Sequence, residues 1–203
     1  GAAFTVDGAR YAVGMPGAFS VYNALAALTA ARVLGAGEDA IHAGLAGAVV
    51  CGRVEPVPLD APFTVVIDYA HNEAAAECLL RTLRAYRPTR LVAVFGCGGC
   101  RDKGKRPLMG AAAGQYADLT VLTSDNPRTE DPLAIIRDIL PGLSGPHLVI
   151  PDRREAIFRA LDLARPGDTV ILCGKGHEIT QETGGHRLPM DERQIIAEYI
   201  NGS

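Results

Sequence analysis

Tryptophan is absent from this sequence, and only five phenylalanines and six tyrosines stand among its 203 residues. A core without many large rings must be filled by aliphatic and small side chains. With 48% of residues hydrophobic and 23 glycines, the composition favours close helix-on-sheet packing in one large domain, or in one domain with a piece of another attached. Positive charge is not in excess either. Twenty Lys and Arg against 23 Asp and Glu leave a net charge of −3, which removes the electrostatic case for a nucleic-acid partner. No apolar run is long enough to cross a bilayer, and the start lacks the basic, apolar and small order of a secretory leader. The expectation is a soluble, cytoplasmic monomer with no membrane partner. Cys51, Cys78, Cys97, Cys100 and Cys173 form an odd set scattered through apolar segments, which is not a disulfide framework. The chain opens Gly1-Ala2-Ala3 rather than with Met, and is expected to be a segment of a longer protein.

There are no repeats and no low-complexity stretches. Pro56, Pro58 and Pro62 interrupt the pattern and mark an expected domain boundary, with residues 1–60 on one side and 61–203 on the other. Helix-rich material precedes it, from Ala24 to Leu34 and from Glu38 to about Ala48, with Gly35 and Gly37 between. After it, apolar β-rich runs at Thr64–Ile67, Leu91–Phe95, Leu119–Thr123, His147–Ile150 and Thr169–Cys173 alternate with helical stretches. The helices are expected at Glu73–Tyr86, Arg106–Tyr116, Pro132–Leu140 and Arg153–Ala164. Asp131 before Pro132 reads as an N-cap and first helical residue, and Asp152 with Glu155 and Asp191 with Gln194 have capping-box spacing. Near-continuous apolar strands alternating with helices predict an α/β fold with a doubly wound, mostly parallel sheet. An edge strand is expected near Arg187 and Leu188, before a final helix.

The unusual polar segments all follow strands. Asp68-Tyr69-Ala70-His71-Asn72 follows the first, and Gly96-Cys97-Gly98-Gly99-Cys100-Arg101-Asp102-Lys103-Gly104-Lys105-Arg106 the second. Asp125-Asn126-Pro127-Arg128 follows the third, and Gly174-Lys175-Gly176-His177-Glu178 the last. A parallel sheet places every strand's carboxyl end on one edge, where open α/β sheets bind ligands, so the four segments are predicted to converge. Turns alone need Gly or Asn; they do not need Arg, Lys, His and Glu together. Gly99-x-x-x-x-Gly104-Lys105 approaches a P-loop, but Arg106 stands where that loop needs Ser or Thr for Mg²⁺. The stretch is cationic, Gly-rich and opens a helix, which suits a carboxylate or phosphate; a solvated basic turn is the plainer alternative. Cys97 and Cys100 have the spacing of a redox pair or half a zinc site, without a second ligand pair to complete the latter. Asp125, Asn126 and Pro127 suit an ordinary turn, which leaves Arg128 free to read a carboxylate through its planar fork. Glu178 suits a ligand ammonium. Arg101, Arg128 and Glu178 together would fit a ligand bearing carboxylates and ammonium groups.

In this order and spacing, Asp68-Tyr-Ala-His71, Gly96-Cys-Gly-Gly99, Arg101-Asp-Lys-Gly-Lys-Arg-Pro107, Asp125-Asn-Pro-Arg128 and Gly174-Lys-Gly-His-Glu178 resemble the Mur ligases. Within them they resemble the tripeptide synthetases of peptidoglycan assembly. Gly17-Ala-Phe-Ser-Val-Tyr-Asn23 and Cys51-Gly-Arg53 look like the end of the family's central ATPase domain. The resemblance covers essentially the whole chain. It implies a Rossmann-like carboxy-terminal domain at 61–203, preceded at 1–60 by a helical remnant of the ATP-binding domain. The reaction it implies uses ATP and Mg²⁺. The terminal carboxylate of a UDP-MurNAc-dipeptide is phosphorylated, and the amino group of an incoming amino acid attacks the acyl phosphate.

By the same resemblance, Arg101, Asp125, Asn126 and Arg128 belong to the amino-acid site, with Arg101, Asn126 and Arg128 on carboxylates. Glu178 and the Gly174 carbonyl hold the distal ammonium. Asn23, Arg53 and Asp68, with His71 beside them, match ATP-contacting positions. From their charge, Lys103 and Lys105 are candidates for phosphate or acyl-phosphate contacts. The Asp-Asn-Pro-Arg form resembles enzymes that add meso-diaminopimelate, whose distal carboxylate L-lysine lacks. L-lysine or another diamino acid is the alternative substrate, and a stand-alone amino-acid-binding module is the alternative role. The chain departs from the pattern at Cys100, where the family more often has Asp or Asn. It also has no intact P-loop, no UDP-binding segment and no carbamylated lysine for Mg²⁺. It is therefore expected to carry no metal ligands and no catalytic residue of its own, and not to catalyse ligation alone.

Overall fold

The computed structural model describes residues 1–202. The chain opens with an antiparallel hairpin that the sequence reading did not anticipate, β1 (Ala2–Val6) and β2 (Ala9–Val13). Its two-residue turn, Asp7-Gly8, has φ of 49° and 82°, both in the left-handed region that a tight hairpin requires. Helix α1 (Ala18–Val33) begins at Ala18 rather than Ala24, and α2 (Glu38–Ala46) follows. Tyr11 and Val13 from the hairpin pack with Ala24, Leu28, Ile41 and Leu45 into a small separate core.

β3 (Glu55–Val57) pairs antiparallel with β4 (Thr64–Asp68). A strand therefore lies ahead of residue 60, on the far side of the expected boundary, and its Pro56 is tolerated because β3 is an edge strand. Four parallel units follow: α3 (Glu73–Ala85) and β5 (Leu91–Phe95), α4 (Lys105–Tyr116) and β6 (Leu119–Leu122), α5 (Pro132–Ile139) and β7 (His147–Val149), α6 (Arg153–Asp162) and β8 (Thr169–Cys173). The order across the sheet is β3-β4-β8-β5-β6-β7, with every pairing parallel except β3 on β4. Alternation along β5 divides the core in two. Leu91, Ala93 and Phe95 face Leu79, Leu80, Met109 and Ile136 on one side. Val92 and Val94 face Ile157, Leu161 and Ile196 on the other.

The helix starts follow the sequence signals. Asn72 accepts from Ala75 N–H at 2.9 Å, Asp131 from Leu133 N–H at 3.0 Å and Asp152 from Glu155 N–H at 2.9 Å. Asp191 caps α7 (Glu192–Asn201) through Arg193 N–H at 3.0 Å, one residue short of the capping-box contact. The expected edge strand near Arg187 and Leu188 does not join the large sheet. It is β10 (His186–Pro189), paired with β9 (Thr180–Thr183) in a separate hairpin. That hairpin pairs instead with the loop after β6: Arg128 N–H donates to Glu182 O at 2.9 Å and Gly184 N–H to Arg128 O at 2.6 Å.

Candidate functional site

The carboxyl ends of β4, β5, β6 and β8 do converge. Their loops line one cavity of about 320 Å³. Tyr69 and His71 come from the first loop, Gly98, Arg101 and Lys105 from the second, Asp125, Asn126 and Arg128 from the third, and Gly174 and Glu178 from the last. The second and third loops touch backbone to backbone. A Cβ on Gly99 would lie 1.9 Å from Pro127 O, and Gly99 N–H donates to Asn126 O at 2.9 Å. Only glycine allows that approach.

Arg128 has a left-handed backbone (φ 55°), held by its two hydrogen bonds to the β9–β10 hairpin. Its Nη1 donates to Gly99 O at 2.7 Å and its Nε lies 3.4 Å from Glu182 Oε2, which leaves the rest of the fork for a ligand. Arg101 is exposed and makes no hydrogen bond or ion pair among the described residues. Asn126 donates from Nδ2 to Glu178 Oε2 at 2.8 Å. Its Oδ1 accepts from Lys175 Nζ at 2.8 Å and from Glu182 N–H at 2.9 Å. Burial works to raise the Glu178 carboxyl, but the hydrogen bonds from Asn126 and Lys175 outweigh it and hold the group below its ordinary range. Asp125 is 6% exposed, and its Oδ1 has no hydrogen-bond partner, with Lys175 Nζ at 3.8 Å. One cavity thus presents free guanidinium donors and carboxylate acceptors together, the complement of a zwitterion.

The two lysines fall differently. Lys105 lines the cavity and donates to His71 O at 2.6 Å, whereas Lys103 lies outside it, 3.6 Å from Glu130. Arg106, at the P-loop's Ser/Thr position, is fully buried. Its guanidinium reaches Glu130 at 3.0 Å, Asp138 at 2.8 Å and Gly98 O at 3.3 Å, so it ties the glycine loop to the core. Cys97 points into the core at Met109, where burial pushes its thiol up to about 12. Cys100 is exposed, and a hydrogen bond with Thr129 lowers its thiol. The two do not form a bonded pair; both are free thiols.

Asn23, Arg53 and Asp68 line a second cavity of about 470 Å³, walled by Met15, Phe19 and Leu79. His71 is not in it; it stacks edge-on against Tyr69 at 4.7 Å beside the first cavity. Asn23 and Arg53 are exposed, and Arg53 lies over the Tyr69 ring at 5.0 Å. Asp68 is 6% exposed, and its two oxygens accept from Val54 N–H and Ala70 N–H, each at 2.7 Å. Burial raises its carboxyl despite those bonds. Apolar walls with a free amide and a free guanidinium fit a heteroaromatic base carrying an anionic tail. A hydroxyl can reach Asp68 only through lone pairs its backbone donors leave. A larger cleft, about 870 Å³, lies between the amino-terminal unit and β3 and is lined mostly by apolar groups such as Met15, Pro56 and Leu83. Among the described residues no three His, Cys, Asp or Glu side chains are grouped to hold a metal ion, and no helix is long and apolar enough to cross a membrane.

Sequence reasoning gave no role to Lys175, Arg106 or Arg153, which are buried at 0%, 0% and 2% exposure against the site. Arg153 hydrogen-bonds Ser124 O at 3.1 Å and Cys173 O at 2.9 Å, and so joins the ends of β6 and β8. Lys175 and Arg106 stood inside the motifs; the only signal for Arg153 was a basic residue at the first turn of a helix.

Comparison with known proteins adds to this geometry. The family described as Mur ligase, glutamate ligase domain, matches residues 52–176. The UDP-N-acetylmuramoyl-L-alanyl-D-glutamate–2,6-diaminopimelate ligase of Caldanaerobacter subterraneus subsp. tengcongensis is 49% identical over 189 residues, covering 92% of this chain and 39% of the relative. The Aquifex aeolicus protein of the same name is 47% identical over 195 residues, covering 95% of this chain and 40% of the relative. A solved structure of a ligase of that name superimposes with a TM-score of 0.73 at 39% identity, covering 96% of this chain and 40% of the other. The chain therefore spans about two fifths of the length of the relatives it matches.

Proposed function

The chain belongs to the Mur ligase family, and from that premise we propose that it is the carboxy-terminal portion of an ATP-dependent amide-bond-forming ligase. That ligase adds meso-diaminopimelate to UDP-MurNAc-L-Ala-D-Glu, through an acyl phosphate, in peptidoglycan biosynthesis. The observation that carries this is the charge pattern of the 320 Å³ cavity, where Arg101 and Arg128 face the same space as Asp125 and Glu178. A diamino diacid has carboxylates for the two guanidinium groups and ammonium groups for the acids.

In this reading Arg101, Arg128 and the Asn126 amide hold the carboxylates, and Glu178 with the Gly174 carbonyl holds the distal ammonium. Asp125, with one buried oxygen lacking a donor, adds a second acceptor for it. These groups orient the attacking amine, so their contribution is positional. Asn23, Arg53 and Asp68 form one wall of the ATP site, while His71 and Lys105 line the first cavity. ATP, when bound, supplies the phosphoryl group that activates the dipeptide carboxylate. Mg²⁺ ligands are assigned outside this chain. Residues 1–60 close the ATP-binding domain and 61–203 form the amino-acid-binding domain, with β3 of the first stretch pairing onto β4 of the second. The protein is assigned to the cytoplasm as a monomer.

The test is phosphate release by the complete ligase containing this chain, with UDP-MurNAc-dipeptide and ATP, comparing meso-diaminopimelate with L-lysine. Diaminopimelate is preferred, and Arg128→Ala raises its KM by about 30–150-fold, the effect of leaving a ligand carboxylate unpaired. Preference for lysine would keep the ligase and overturn the assignment of Arg128. No turnover with any amino acid, in a folded protein that binds ATP, would favour a binding module.

A further inference from the structure

Lys175 is fully buried, yet it lies within the loop that lines the cavity. An ammonium has three hydrogens to place. Here they go to Asn126 Oδ1 at 2.8 Å, Glu178 Oε2 at 3.0 Å and Thr180 O at 2.5 Å. Two of those acceptors belong to the side chains assigned to the amino acid. The third is the first residue of the hairpin that supports Arg128.

We propose that Lys175 is a positioning residue that sets the polarity of the amino-acid site, a role that rests on the assignment of that site above. Asn126 has two ways to sit, with amide oxygen and nitrogen exchanged. Its Oδ1 meets two donors, Lys175 Nζ and Glu182 N–H; exchanged, the NH₂ group would face both donors and leave them unsatisfied. Only one orientation survives, and it turns the NH₂ toward Glu178. One of its hydrogens bonds Glu178 Oε2, and the other remains to donate to a ligand. Glu178 is fixed in the same way. Its Oε2 takes both Asn126 and Lys175, while Oε1 stays open as an acceptor. The cavity therefore offers a donor at Asn126 and an acceptor at Glu178 before any ligand arrives. A carboxylate is directed to the first and an ammonium to the second. Without Lys175 the amide oxygen keeps only the Glu182 N–H donor, and the two acids, Asp125 and Glu178, lose the cation between them.

The experiment is steady-state kinetics on the complete ligase with Lys175→Met, which keeps bulk and removes the donors, beside Asn126→Ala and Glu178→Gln. Lys175→Met raises the KM for meso-diaminopimelate by about 30-fold, as expected when buried polar groups lose a charged partner. Its kcat and its KM for ATP stay within about threefold, because the cation touches neither the nucleotide cavity nor the reacting atoms. If Asn126→Ala and Glu178→Gln raise that KM and Lys175→Met does not, Lys175 is core filling and the proposal falls while the site stands. If none of the three moves it, the site assignment falls and the proposal with it. A rise in every KM together with loss of kcat would show collapse of the whole sheet edge and overturn a specific role. Should Lys175→Met fail to fold, the unsubstituted protein decides by ¹⁵N NMR. Slowly exchanging Lys175 ammonium protons, and an Asn126 amide signal that shifts on adding diaminopimelate, are expected. Fast exchange with an unmoved amide would refute the positioning role.

Discussion

Arg153→Met isolates the buried ion pair that joins two strand ends behind the site. Arg153 donates twice to Glu192 Oε1, at 2.9 and 2.7 Å, and to the carbonyls of Ser124 and Cys173. Glu192 is 0% exposed, and its Oε2 already lacks a partner. Removing the guanidinium strands a carboxylate in an apolar interior, which costs about 3–5 kcal/mol for a broken buried pair. For a chain of this length that lowers Tm by about 6–20 °C. Replacing both residues, Arg153→Met with Glu192→Leu, removes the stranded charge and leaves only the two carbonyls short of a donor, a deficit of about 1–2 kcal/mol. The double variant is therefore more stable than the single, by about 1 kcal/mol or more. Urea denaturation followed by circular dichroism measures all three. An Arg153→Met loss under about 1 kcal/mol, the level of a surface change, would refute the reasoning, as would a double variant no better than the single.

Two further perturbations probe the loops. Gly99→Ala places a methyl 1.9 Å from Pro127 O, so the two loops part; a loss of about 1–3 kcal/mol and an amino-acid KM raised about tenfold are expected, and a folded variant with unchanged KM would count against the contact. Glu130 is held at about 2, first by its hydrogen bonds from Arg106 and then by Cys100 N–H, below its ordinary 4.5. A depressed carboxyl stabilises the fold fully above its unfolded value and loses that contribution as pH falls toward the folded one. Glu130→Gln is thus less stable than the parent at neutral pH, and denaturation midpoints converge between pH 4.5 and 2; a gap independent of pH would remove the ion pair as its cause.

Much of this fold was legible because parallel strands buried on both faces are uniform apolar runs. Leu91–Phe95 and Thr169–Cys173 lie where the sequence placed them. The convergence of the four polar loops followed from parallel topology alone. What escaped was local chemistry. Asp7-Gly8, flanked by short apolar–polar alternation, is a hairpin signal, but its five-residue strands are brief beside the Ala-rich helix that follows. Pro56 disguised β3, since proline is excluded from central strands but not from an edge. The role of β9 and β10 was hidden because they pair with a loop more than 50 residues earlier, and no local pattern encodes that contact.

Burial separates the basic residues near the site in a way that composition cannot. A buried charge must be paired, so Lys175, Arg106 and Arg153 each spend their donors on protein acceptors and have little left for a ligand. Arg101 and Arg53 are exposed, stay hydrated at no desolvation cost, and keep their forks free. Arg128 stands between the two classes: one side of its guanidinium is anchored on Gly99 O and Glu182, and the other remains open. All six are basic residues in or beside glycine- and acid-rich loops, and a motif alone treats them alike. Their burial assigns the first three to holding the loops in register, and leaves the last three as the ones the proposed site uses for anionic groups. Substitutions in the first set therefore act on stability or on the orientation of neighbouring side chains; those at Arg101 and Arg53 leave the fold untouched, and one at Arg128 also loosens its anchors on Gly99 and Glu182.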